Sequence, residues 1–340
     1  MTESMTTIPF QHLCSVLSLG QLQGEPLPLS GGYLHHMYGI KTTQGRFAIK
    51  VLNSFIMQRP TAITNFVRSE RIANIAAKVV PAAPAIQFDG VTLHKLGHYY
   101  LQAFNWVEGV VLKPDDISIN HCTTIGAILA DLHLADFSTL SIEPPNAANG
   151  EQTIDWNEYL KLGEDRMLCW IEQLRDIIDK LYIWDAEANE AVIKLSVHTV
   201  ISHNDLDPKN VLWDNRIPTI IDWECAGFIN PMQDLIETAL YWATDRAGNA
   251  DQKRFLAFIH AYQAKTGPLA TDWRIVLSSG FTGKLGWLAY NLRRSLGIES
   301  NDAAEQQLGT EQVMATLQAL CHYEEQIEKI ETWLRSIASN

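Results

Sequence analysis

Between Val200 and Trp223 the chain reads VISHNDLDPKNVLWDNRIPTIIDW, an order of residue types that few local structures can accommodate. His203 and Asp205 are one residue apart, and four residues separate Asp205 from Asn210. Val211, Leu212 and Trp213 then form an apolar run, Asp214-Asn215-Arg216 is turn-like, and Ile217–Ile221 is a second β-prone run with Pro218 near its start. Folding 210–222 about a turn near residue 215 returns Asp222 almost opposite Asn210. One hairpin is thereby predicted to set an amide oxygen beside a carboxylate, with Asp205 on the loop that feeds it. Mg²⁺ takes hard oxygen ligands and keeps places open for phosphate oxygens, so this pattern predicts chemistry on phosphates. A loop with several Asp and Asn residues is ordinarily a solvated turn. The complete string is far more constrained than that.

The first hundred residues are rich in β-like runs. Tyr38–Thr42 and Arg46–Leu52 flank Thr43-Gln44-Gly45, which predicts a hairpin. Upstream, Gly31 and Gly32 lead into the first strand and could let backbone N–H groups approach phosphates, although the stretch is neither a P-loop nor a G-x-G-x-x-G. His35 and His36 are adjacent in an extended segment and point to opposite faces, which argues against a shared metal. Lys50 is the only lysine in the apolar strand FAIKVL. In the predicted helix Thr61–Lys78, Ile63, Phe66, Val67, Ala73 and Ala77 share a face, with Glu70 in their midst. A buried carboxylate needs a partner, and Lys50 is the expected one.

Further strands are expected at Ala85–Phe88 and Tyr99–Phe104. From Thr124 onward the pattern turns helical: 124–137, with His133 a packed, hydrogen-bonded residue, then 157–181, 186–195, 234–264 and 272–296. From Thr310 to the end, Val313, Leu317, Leu320, Tyr323, Ile327, Ile330, Leu334 and Ile337 alternate spacings of three and four. That stripe predicts one long amphipathic helix packed within its own part of the chain, because a coiled coil would need a second such segment.

At 340 residues the length predicts about two domains. No run of about eighteen apolar residues occurs, so no membrane span is expected. The N-terminus lacks the basic and apolar segments of a signal peptide, and the five scattered cysteines suit reduced thiols in the cytoplasm. The formal net charge of −13, with dispersed Lys and Arg, argues against a nucleic-acid partner. Acidity of this size favours cationic ligands and serves solubility equally well.

The string His203-Asn-Asp-Leu-Asp-Pro-Lys-Asn-Val-Leu-Trp, with Ile221-Asp222-Trp223-Glu224, resembles the aminoglycoside phosphotransferase and choline kinase-like small-molecule kinases. Phe47-Ala-Ile-Lys50, the Gly126…His133 helix and Asn230-Pro-x-x-Asp-Leu235 support the resemblance, which covers roughly residues 25 to 300. It implies an α+β, protein-kinase-like two-lobe fold with a small antiparallel-sheet N-lobe and a large, mainly helical C-lobe. The N-terminal nucleotide-binding lobe would span 1–104, a hinge 105–109, and the catalytic and substrate-binding lobe 110–340. Asp205 would be the catalytic carboxylate, and Asn210 and Asp222 the metal ligands. Lys50, oriented by Glu70, would hold phosphate. Gly31 and Gly32 would lie over the nucleotide, main-chain groups at Asn105 and Val107 would read the adenine edge, and Asp234 would brace the catalytic loop. The cofactors implied are ATP and Mg²⁺. The partner would be a small cationic acceptor, with Glu224 and the acidic 299–311 segment near its amines, and the protein a monomer or homodimer. No motif separates antibiotic kinases from metabolite kinases of the same fold, so a choline, homoserine or sugar-like acceptor is the alternative. Neither Ala-Pro-Glu nor Asp-Phe-Gly occurs, which argues against a protein substrate. A non-catalytic nucleotide-binding regulator would usually lack one of Lys50, Asp205, Asn210 and Asp222, and all four are present.

Overall fold

The computed structural model describes residues 8–29, 34–144, 153–300 and 302–338. Its first elements are α1 (Phe10–Val16), β1 (Leu27–Leu29), β2 (His36–Thr42), β3 (Gly45–Val51), α2 (Ser54–Met57), α3 (Ala62–Ala76), β4 (His94–Leu96), β5 (Tyr99–Asn105) and β6 (Val110–Val111). The first five strands form one antiparallel sheet in the order β1-β2-β3-β5-β4. Strand side chains alternate between faces, and that period sorts β3 and β5. Phe47, Ile49 and Val51 join Leu101 and Ala103 in a core closed by Phe10, Leu13, Cys14 and Leu17 around α1. The intervening positions, Lys50 and Gln102, stand opposite each other in register on the other face. The expected strand at Ala85–Phe88 is absent. Ile86 N–H donates to Ala103 O at 2.7 Å, but the neighbouring Pro81 and Pro84 have no N–H to offer a ladder, and the segment stays irregular.

The chain continues through α4 (Ile119–His133), α5 (Trp156–Asp165), α6 (Ile171–Leu195), β7 (Val200–Ser202), β8 (Val211–Asp214), β9 (Ile217–Ile220) and β10 (Gly227–Ile229). It ends with α7 (Pro231–Ala243), α8 (Gln252–Thr266), α9 (Trp273–Ser279), α10 (Phe281–Ser295) and α11 (Ala303–Ala338). Several helix boundaries differ from those predicted. α4 begins at Ile119 because Ser118 and His121 form a reciprocal capping box. α6 runs unbroken through 181–186, and the interruption lies instead at 166–170, where Met167 is left-handed (φ 53°) and the Trp170 indole lies against Gly163. The predicted 234–264 helix is cut at 244–251. There Asp245 accepts N–H bonds from Ala247 and Asn249, and Gly248 has φ 88°. α11 carries the predicted stripe: Val313, Leu317, Leu320, Tyr323, Ile327, Ile330 and Leu334 are buried, and Tyr323 Oη donates to Leu277 O at 2.7 Å.

The chain divides into two compact units. One holds residues up to Leu112 together with Asp205–Gly227, and the other holds Lys113–Asn204 with Phe228–Asn340. The β8–β9 hairpin joins the first unit through main-chain bonds: β6 pairs with β8, Ile220 N–H donates to Pro81 O, and Ala83 N–H donates to Ile220 O. The second unit is helical, with His133 buried between Tyr262 Oη (2.8 Å) and Asp234 Oδ2 (2.9 Å). Asn230 caps α7 and also donates to Leu195 O and His198 O at the end of α6. Among the described residues no helix is long and apolar enough to cross a membrane.

The α4–α8 contact supplies a test of the packing. A Cβ at Gly126 would collide with the Phe258 carbonyl oxygen, whereas one at Gly283 in α10 meets open space. Gly126→Ala should lower unfolding stability by about 1–3 kcal/mol, the usual cost of overpacking. Gly283→Ala should raise it by up to about 1 kcal/mol through helix propensity. Urea denaturation that ranks the two variants in the opposite order would overturn this account.

Candidate active site

The hairpin forms with a two-residue turn at Asn215-Arg216, Asn215 taking the left-handed conformation (φ 55°) that asparagine tolerates. Register pairs Val211 with Ile220, and Ile221 N–H donates to Asn210 O at 2.9 Å. Asp222 therefore leaves the hairpin one residue beyond the position opposite Asn210, in agreement with the sequence reading. It too is left-handed (φ 60°, ψ 61°), a conformation uncommon outside glycine. Strain of that kind persists where the surroundings fix it, and here the fixing contact is an ammonium.

That ammonium is Lys50 Nζ. It lies 2.6 Å from Asp222 Oδ1 and also donates to Glu224 Oε2. Lys50 is only 6% exposed, and burial alone would lower its pKa; Asp222 and Glu224 outweigh that and hold it well above the ordinary lysine range. The expected Lys50–Glu70 ion pair is not formed. Glu70 is buried on α3, where Oε2 accepts the Ala85 N–H (2.8 Å) and Oε1 accepts Gln102 Nε2–H (3.1 Å). Gln102 stands directly across from Lys50 in the sheet, so it reaches the carboxylate that the sequence assigned to Lys50. Burial pushes Glu70 up to about 7, against the Ala85, Lys50 and Gln102 interactions that favour its charged form.

Glu224, which the sequence reading placed beside an acceptor amine, is instead committed to Lys50 and His35. Asn53 N–H donates to His35 Nδ1 at 3.0 Å, which leaves the imidazole proton on Nε2, 3.1 Å from Glu224 Oε2. Burial would raise the Glu224 pKa, but Lys50 and His35 together hold it down at about 2. Three residues to which sequence reasoning gave no part in the Lys50 cluster thus complete it: His35, weighed only as a metal ligand, Glu224, placed beside an acceptor, and Gln102, not named at all. A signal existed for one of them, since Gln102 is the lone polar residue inside YYLQAF.

Asp205 sits on the loop before the hairpin. Its Oδ2 accepts Asn210 Nδ2–H at 2.8 Å, and the same amide nitrogen bonds Asp205 O at 2.8 Å. Asn210 is buried with its nitrogen turned to Asp205, so its Oδ1 is the atom left to face a cation. Asp222 retains Oδ2 beyond its bond to Lys50. An amide oxygen and a carboxylate oxygen suit Mg²⁺, which draws few protein ligands and completes its shell with phosphate and water. Among the described residues no group of three or more His, Cys, Asp or Glu stands ready to hold a metal by itself.

Asn105 ends β5 opposite Phe47 and is exposed, and Val107 follows two residues later, partly buried. Between them Trp106 N–H donates to Arg46 O (3.2 Å), and the Arg46 guanidinium lies 4.0 Å from the centre of the Trp106 ring. Gly31 and Gly32 lie outside the described residues. Asp234 is buried in the helical unit, bonded to His133 and Thr238.

Comparison with known proteins places the fold and the family. A homoserine kinase from Polaromonas naphthalenivorans is 26% identical over 77% of this chain and 78% of its own length. Among solved structures, a spectinomycin phosphotransferase determined with ADP and spectinomycin superposes with a TM-score of 0.68 at 11% identity, covering 92% of this chain and 98% of that one. A Plasmodium vivax ethanolamine kinase gives 0.56 at 17% identity, over 92% and 84%. The two structures establish a shared protein-kinase-like fold. Residues 26–274 match the sequence profile of the phosphotransferase enzyme family, nearly three quarters of the chain, and the protein belongs to that family as an enzyme of the kinase kind.

Proposed function

We propose that this enzyme moves the γ-phosphate of ATP, with Mg²⁺, to a hydroxyl of a small amine-bearing molecule. The observation that carries the reading is the joining of Lys50, Asp205, Asn210 and Asp222 within one compact unit by a single hairpin. Asn210 Oδ1 and Asp222 would hold Mg²⁺, which when bound would supply positive charge to offset that of the phosphates. Lys50 would exchange its bond to Asp222 for nucleotide phosphate while Glu224, kept by His35, receives it between turnovers. Glu70 would support Lys50 indirectly, by fixing Gln102 on the strand opposite. Asp205 would orient the acceptor hydroxyl and take its proton late, as suits a loose transition state in which positioning and electrostatics supply most of the catalysis. Along the chain, 1–104 would serve the nucleotide, 105–109 the hinge, with Asn105 and Val107 at the adenine edge, and 110–340 catalysis and the acceptor. The five free cysteines are in keeping with the cytoplasm.

The acceptor reading narrows. Of the acidic groups first assigned to its amines, Glu224 serves Lys50, Glu299 pairs with Arg293, and Glu305 pairs with Arg294, while Asp302 and Glu311 accept from Ala304 N–H and Gln307. A polycation would find most of these charges already answered by a cation. An amino alcohol with a single amine is the better fit, and homoserine, named for the curated relative, is the first acceptor to test. Choline-like amines and aminoglycosides come next. An ADP-release screen over these compounds decides the matter. Acceptance of only sugars or anionic alcohols would defeat the amine requirement.

Two variants test the assigned roles. Asp205→Asn removes the carboxylate and should reduce turnover by at least about a hundredfold, the lower range for a positioned base. Nucleotide affinity should hardly change, and wild-type turnover would remove Asp205 from the chemistry. Glu70→Gln tests the buried carboxylate. Glu70 has a folded-state pKa raised to about 7, so its favourable contribution is complete below the unfolded carboxylate range and is lost as pH rises through 7. From pH 5 to pH 8 the wild type should therefore lose a few kcal/mol of stability relative to Glu70→Gln, on the order of 1.4 kcal/mol for each pKa unit. Parallel pH profiles of the two proteins in chemical denaturation would show that Glu70 does not titrate there.

A further inference from the structure

Both oxygens of Asp205 are occupied, and by groups of different character. Oδ2 is fixed by the buried amide of Asn210. Oδ1 lies 3.1 Å from Lys209 Nζ, which is also 3.8 Å from Asp207 Oδ2. The base of Lys209 is rigid: it sits in the 3-10 turn Pro208–Asn210, where Asp207 Oδ1 accepts its N–H at 2.8 Å. Its side chain is 47% exposed, so the ammonium end reaches solvent. An ion pair so exposed adds little stability, which is a weak reason for a cation at the reacting carboxylate.

We propose that Lys209 is a further catalytic residue whose ammonium contacts the phosphoryl group in flight. The proposal rests on the ATP-dependent transfer described above. In that reaction the acceptor oxygen forms a bond to the γ-phosphorus while the bond from that phosphorus to the bridging oxygen breaks. The bridging oxygen leaves with the electron pair on ADP, and the hydroxyl proton passes to Asp205. Oδ2 is held by Asn210, so Oδ1 is the oxygen that receives the proton. The ammonium already bound to Oδ1 therefore stands beside the point of attack. As Oδ1 is protonated, Asp205 loses its charge and its hold on Lys209. The nearest negative charge is then on the phosphoryl oxygens, where it grows in the transition state. Lys50 would hold the nucleotide from one side and Lys209 the moving group from the other, so the two lysines have separable effects.

The test uses the full chain, MgATP, and either homoserine or water as acceptor, with Lys209→Met, Lys209→Arg and Lys209→Ala. Lys209→Met should lower kcat by about a hundredfold or more, the range seen when a transition-state donor is removed. Its KM for MgATP and its affinity for the Mg²⁺ complex of a non-hydrolysable ATP analogue should stay within about twofold, and Tm should not move. Lys209→Arg should keep more of kcat than Lys209→Met, and added methylammonium should restore part of the loss in Lys209→Ala. A Lys209→Met variant with kcat near that of the wild type overturns the proposal alone. So does a loss of kcat matched by lost nucleotide affinity and lowered Tm without rescue by Arg or amine, since that is a structural role. A wild-type protein that turns over ATP with no acceptor, water included, sinks the phosphotransfer reading and this proposal with it.

Discussion

Everything at the site depends on one buried ammonium. Lys50 faces away from the sheet's apolar core because period-two alternation leaves it no other side, and once there it has little water to solvate it. A cation in that position demands carboxylates at hydrogen-bond distance, because an unanswered buried charge costs several kcal/mol. Asp222 and Glu224 supply them from 172 and 174 residues further along. Satisfying Lys50 therefore fixes the turn after β9, including the left-handed Asp222, and with it the position of the carboxylate proposed as a metal ligand.

Around that ion cluster lies a layer of neutral donors and acceptors with no slack. His35 uses one ring nitrogen to accept from Asn53 and the other to hold Glu224, so its tautomer is set by the fold. Gln102 and the Ala85 N–H take the Glu70 carboxylate in the same way. Buried polar groups that are fully paired rigidify a site, and those left unpaired are costly, so each of these residues is constrained by its neighbours. The cluster holds Lys50 ready while leaving Asn210 Oδ1 and one oxygen of Asp222 available.

The likeness to a spectinomycin phosphotransferase and an ethanolamine kinase persists at 11% and 17% identity. Such a likeness preserves main-chain geometry, and it extends over 92% of this chain. Acceptor recognition has no comparable backbone signature. It depends on which side chains present charge outward, and Glu224, Glu299 and Glu305 are each paired with a cation, Lys50, Arg293 and Arg294 respectively. A net charge of −13 thus says little about the substrate.

Local periodicity made much of the chain legible. The β2–β3 hairpin, the α11 stripe and the β8–β9 hairpin all follow from spacings within a few residues, and the last of these placed Asp222 beside Asn210. The α3 face was read only in part, since Phe66, Glu70 and Ala73 are buried while Ile63, Val67 and Ala77 are exposed. Helix ends were harder to read, because a turn closed by Asp245 or an indole pressed on Gly163 depends on contacts that periodicity does not register. The partner of Lys50 was beyond reach altogether. Glu70 and Glu224 were equally plausible by residue type, and the choice turned on Gln102 standing opposite Lys50 and capturing Glu70 first. The sequence by itself determined which residue types carry the chemistry and the local elements that present them. Only the tertiary structure decided which charges pair, because pairing is a competition between groups distant in sequence, settled by where strands and helices bring them.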